Sequence, residues 1–192
     1  MRVVAQAGLV FIVAFMTLSV PATCLGQDAL SVSKAQAISK VRVATLPGWR
    51  ETLSGEGRFR VLFPCDPENN DDVISVKELM CTRDGVSWLV SYSELPRAVQ
   101  DSELKQRYHQ ANRAISGDEN KLIAERDVFL NGRLGNETVI TKQSRVTYMR
   151  SFISRSRLYV ISVDRQEHAG STELVPRDVQ NFFDSFVYWD KL

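Results

Sequence analysis

Two neighbouring runs, residues 145–153 and 158–164, alternate with a period of two yet carry apolar side chains on both faces. In the second, Tyr159, Ile161 and Val163 fall on one side and Leu158 and Val160 on the other. A strand buried on both sides needs one layer above it and another below. The chain must therefore supply those layers from elsewhere in its length.

Its other elements read as follows. Phe59, Val61 and Phe63 alternate with Arg58, Arg60 and Leu62 until Pro64 stops the strand. Residues 66–72 are turn chemistry, and a second strand is expected from about 73 to 81. Asp84-Gly85 then marks a tight hairpin before Val86, Trp88, Val90 and Tyr92, one face of a third strand. Leu95-Pro96 interrupts the sheet. Asp101 or Ser102 can cap a helix whose face is Leu104, Tyr108, Ala111 and Ile115, with Gly117 ending it. Strands resume over 122–130 and 137–142 and lead into the two central runs. Gly132 and Gly135, between the first two of these strands, are expected to serve a turn needing positive φ. Pro176 opens a last helix, and its stripe of Val179, Phe182, Phe183 and Phe186 must dock on the sheet. Three strands, a helix, four strands and a helix predict an α+β fold, a largely antiparallel sheet with helices packed on it.

The N-terminus points to export. Arg2 precedes a run from Val3 to Val20 that is nearly all apolar, followed by Pro21 and the small residues around Cys24 and Gly26. This is the layout of a secretory signal peptide over residues 1–26. An uncleaved membrane anchor is the alternative, since a span needs about 18–20 apolar residues. Cys24 is also a candidate for lipidation, although a lipobox has Leu and a small residue where this chain has Pro21 and Thr23. Residues 27–48 read as a flexible arm, leaving 49–192 as a single globular domain. The localisation expected is periplasmic or extracellular, with membrane contact only through an anchor or a lipidated Cys24.

The 24 basic and 23 acidic residues nearly balance, and Arg2 is the only charged residue among the first 26. A chain without a cationic excess argues against nucleic acid as a partner. Loss of Cys24 with the signal leaves Cys65 and Cys81, 16 positions apart and flanking one hairpin, as a disulfide pair for an oxidising compartment.

The catalytic inventory is sparse. His109 and His168 are the only histidines, no GxSxG elbow or clustered metal-ligand spacing occurs, and no cofactor motif is present. Asp66, Asp71 and Asp72 form an acidic stretch that hard cations can use, without the alternating ligand pattern of a calcium loop. Arg145, Arg150, Arg155 and Arg157 are the densest basic group. Arg150 shares a strand face with Val146, Tyr148 and Phe152, so it either pairs with a carboxylate or meets an anionic ligand or partner, with Arg145 beside it. Asn136-Glu137-Thr138 is a formal glycosylation sequon.

Three segments carry a resemblance. Gly57-Arg-Phe-Arg-Val-Leu-Phe-Pro64, Leu130-Asn-Gly-Arg-Leu-Gly135 and Phe182-Phe-Asp-Ser-Phe186 resemble exported bacterial domains of the PsbP/Mog1-like fold over roughly residues 49–189. That fold implies an α/β/α sandwich. Its members mostly act as accessory or binding subunits, among them the photosystem II extrinsic protein and a nuclear-transport GTPase-binding factor. Their functions differ, so the resemblance implies architecture before task. The expectation is a non-enzymatic envelope protein that binds a protein partner, with a small-ligand or ion carrier as the alternative.

Overall fold

The computed structural model describes residues 46–73, 76–116, 119–166 and 174–189, without the side chains of 70–73. The signal segment, the arm as far as residue 45, Cys24, Gly117 and His168 lie outside the described residues.

The chain runs β1 (Arg50–Ser54), β2 (Phe59–Phe63), β3 (Glu68–Val73), β4 (Val76–Arg83), β5 (Val86–Glu94), α1 (Asp101–Ile115), β6 (Lys121–Leu130), β7 (Arg133–Lys142), β8 (Arg145–Ser154), β9 (Arg157–Gln166), α2 (Arg177–Ser185) and β10 (Val187–Tyr188). A seven-stranded sheet has the order β3-β4-β5-β9-β8-β7-β6, and β1-β2-β10 form a second sheet of three strands. Every pairing is antiparallel. The large sheet is the middle layer of an α/β/α sandwich, as the two doubly apolar runs require.

Each face has its own core. On one, Leu104, Tyr108, Ala111 and Ile115 of α1 pack on Ile140, Met149, Ile153, Leu158 and Val160. On the other, Val179, Phe182, Phe183 and Phe186 join Phe59, Val61 and Phe63 of β2 over Trp88, Tyr148, Phe152, Tyr159 and Ile161. The helices are stitched down by side chains as well as packed. Tyr108 Oη accepts the Ile153 N–H at 2.9 Å, and burial pushes its hydroxyl well above the usual tyrosine range. Ser185 Oγ accepts the Leu62 N–H at 3.0 Å and donates to the Phe182 carbonyl at 2.7 Å, tying α2 to β2.

The sequence reading needs correcting at several points. Residues 68–73 are not loop but strand β3, which among the described residues pairs with β4 alone and contains Asn and Asp residues that strands disfavour. The sequence predicts neither β1 nor β10; β1 alternates weakly and β10 is two residues long. Strand β7 begins at Arg133, earlier than expected. Gln100, not Asp101 or Ser102, occupies the cap position of α1, with no side-chain cap bond; Asp101 and Glu103 instead place negative charge in the first turn. Gly132 does adopt positive φ, following Asn131 in a two-residue hairpin loop. Gly135 serves a different purpose: a Cβ there would lie 2.4 Å from the Phe152 ring, which covers the bare backbone of its strand partner.

Cys65 and Cys81 form the expected disulfide, closing the β3–β4 hairpin against the end of β2. A loop of this size contributes about 3 kcal/mol by restricting the unfolded chain. Thermal melts with and without reductant should therefore show a clear drop in Tm on reduction; coincident curves would show the bond to be energetically idle.

Candidate functional site

The expected Arg150 site lies on the α2 face of the sheet. Register places Arg126 of β6 opposite Glu137 of β7, and Glu137 opposite Arg150 of β8, so the three side chains form a row across adjacent strands. Glu137 is 2% exposed and holds both arginines: Arg126 Nε donates to one carboxylate oxygen at 2.5 Å and Arg150 Nε to the other at 2.6 Å. Arg150 Nη1 also donates to Asp184 of α2 at 2.9 Å, and its guanidinium lies 4.8 Å from the centre of the Phe183 ring. Gln180 donates to Asp184 from the preceding helical turn. The row is satisfied within the chain, and what it does chemically is clasp α2 to the sheet.

Arg145 is separate from this row. It pairs with Asp164 of β9, which also accepts from Thr147 Oγ1 at 2.8 Å. Asp66 is engaged too, both its oxygens accepting from Arg50 Nη1 at 2.6 and 2.8 Å. Asp71 and Asp72 lie in β3 with their side chains outside the described residues. Among the described residues no group of three or more potential metal ligands gathers. His109 is half exposed and lies 2.8 Å from Glu125 of β6. Asn136 of the sequon is 3% exposed, holding Asn112 of α1 at 2.9 Å, so in the folded chain it is a core residue and not a glycan acceptor.

The strongest outward-facing feature is one the sequence reading did not single out. β6 ends the large sheet with a neighbour on one side only, leaving the outer backbone edge of a 10-residue strand unpaired among the described residues. On it Ile123 is 46% and Phe129 72% exposed. Ile123 falls at a register shift between Leu122 and Ala124, while Phe129 stands opposite Leu134. Asp127 and Glu125 are drawn toward α1 by Lys105 at 3.2 Å and by His109. Charged residues interrupt the strand, yet its one aromatic side chain, Phe129, remains in solvent. The sequence predicts a strand over 122–130, but nothing local distinguishes an edge strand from a central one.

No family model matches the sequence, and no curated protein matches it significantly. Among solved structures, the chain is similar to cyanobacterial PsbP (CyanoP) from Synechocystis sp. PCC 6803. The two share 12% identity over 82% of this chain and 99% of that one, with a TM-score of 0.54. The fold is PsbP-like. A Bacteroides thetaiotaomicron VPI-5482 structure also aligns, at 9% identity over 75% of this chain and 50% of that one, but its TM-score of 0.42 carries no argument. At such identities the likeness concerns architecture, and no residue role passes across it. The disulfide fits an oxidising compartment. Among the described residues no helix is long and apolar enough to cross a membrane.

Proposed function

We propose that this chain is an exported, non-catalytic accessory protein that binds a protein partner in the cell envelope through the free edge of β6. The observation that carries this reading is the pairing of an open 10-residue strand edge with two exposed apolar side chains, Ile123 and Phe129. Such an edge presents unpaired N–H and C=O groups as a template for another strand. The partner contributes an extended segment that adds to the sheet, with apolar residues over Phe129 and Ile123 supplying the specificity that backbone hydrogen bonds lack. The PsbP-like fold supports an accessory role, and the signal-like N-terminus and the disulfide support export.

A photo-crosslinking side chain at Phe129 tests the reading in cells of the source organism. The expected result is one discrete adduct from position 129 and none from a control at Arg113, which is exposed on α1. Equal labelling from both positions, or none from either, would remove β6 as the docking edge.

A further inference from the structure

A cavity of about 200 Å³ lies where the β1–β2 turn, the β8–β9 turn and the residue after β10 converge. It shares no residue with β6. Arg58, Arg155 and Arg157 line it, together with Ser156, Glu94 and Trp189. Arg157 is already committed: it donates to Glu94 at 2.6 Å and to the Glu56 carbonyl at 2.8 Å, and it lies 5.4 Å from the Tyr92 ring centre. Glu94 therefore cancels one of the three positive charges. The guanidiniums of Arg58 and Arg155 have no hydrogen bond or ion pair among the described residues, and the described residues that line the cavity carry an excess of two positive charges. Arg150 and Arg145 differ in this respect, since carboxylates of the chain already hold both.

The backbone carrying the free arginines is pinned. The Val99 N–H donates to the Arg155 carbonyl at 2.9 Å, the Leu95 N–H to Ser156 at 2.5 Å, and the Trp189 N–H to Arg58 at 3.1 Å. Arg58 and Arg155 both adopt φ of 55°; Arg155 does so in the two-residue loop between Ser154 and Arg157, as Gln143 does between Lys142 and Arg145, so glycine can replace either arginine without disturbing its turn.

We infer that this cavity binds a small tetrahedral oxyanion, a phosphate group, between Arg58 and Arg155. Donors arriving from separate turns suit a tetrahedral anion, and guanidinium–phosphate hydrogen bonds are among the stronger polar contacts. The volume is below the roughly 300–1,000 Å³ of pockets that enclose a drug-sized ligand, so the cavity takes the charged group and leaves what is attached to it outside.

The test uses the full chain and two variants, Arg58→Gly and Arg155→Gly. Glycine suits the left-handed backbone, so both should fold and melt at or above the wild-type temperature. Calorimetry and thermal melts with inorganic phosphate are compared with sodium chloride at matched ionic strength, and sedimentation with phosphatidylglycerol vesicles is compared with phosphatidylcholine. Saturable binding of free phosphate, weakened at least tenfold in each variant, supports a soluble ligand. Sedimentation with phosphatidylglycerol alone, lost in both variants, supports a lipid-borne phosphate at the same site. Responses no greater than in matched chloride and phosphatidylcholine, or variants that bind as the wild type does, would overturn the inference.

Discussion

Phe186→Ala is expected to lower stability by about 3–5 kcal/mol, the range for deleting a fully buried aromatic. Phe186 is 0% exposed and sits where α2 gives way to β10. Its ring centre lies 5.5 Å from Phe59 of β2, 5.6 Å from Tyr159 of β9 and 6.4 Å from Phe152 of β8, so it touches both sheets at once. The cavity left behind has walls on three elements already fixed by backbone hydrogen bonds, which limits collapse. Urea unfolding measures the effect, with the midpoint falling and the slope unchanged. Phe129→Ala is the matched control: its ring is in solvent, so the free chain should change by no more than about 0.5 kcal/mol. A small loss for Phe186→Ala would mean that the three-stranded sheet and α2 do not pack on the middle layer as described.

Glu137→Ala is the second large effect, expected at about 3–5 kcal/mol, because it leaves the buried Arg150 guanidinium without its inner partner. Arg150 retains only Asp184, which is half exposed at the surface end of the clasp. The converse change is milder. Arg150→Met leaves Glu137 paired with Arg126 and puts an apolar chain against Phe183. The double replacement Glu137→Leu with Arg150→Met should recover part of the loss, since well-packed apolar residues often substitute for a buried ion pair at little net cost. Urea titrations of the three variants decide the matter. Equal losses for Glu137→Ala and Arg150→Met would contradict the view that Glu137 is the centre of the row and Arg150 one of its arms.

Much of this fold was legible because the central strands announce themselves. Tyr159, Ile161 and Val163 on one face and Leu158 and Val160 on the other demanded three layers, and the stripes of α1 and α2 supplied the outer ones. Asp84-Gly85 and Asn131-Gly132 lie in tight hairpins, as turn chemistry allows. What escaped was structure at the margins. β3 is written in Glu, Asn and Asp, and its strand character comes from pairing with β4 and not from its own side chains. Gly135 could not be read correctly because its reason, the Phe152 ring, is distant in sequence and adjacent only through register. Asn136 met the same limit: the sequon is a surface motif by composition and a core position by topology.

The candidate sites divided in the same way. Arg150 stood out in sequence because a cation among apolar neighbours on a strand is unusual. Its partners Glu137, Asp184 and Phe183 come from two other elements, so only the assembled sheet shows the charge to be spent internally. Arg155 belongs to the same basic group, and its lack of a carboxylate partner among the described residues depends on which turns converge in space. β6 acquires its significance solely from standing last in the sheet order.

The most direct test of partner binding through β6 is a native mass spectrum of the protein drawn gently from its own source, beside a Phe129→Arg variant expressed in its place. The account predicts a complex with a second protein for the wild type, and loss of that complex for the variant while its fold is retained. A wild-type chain found only as a free monomer, or a variant that keeps the same complex, would contradict it.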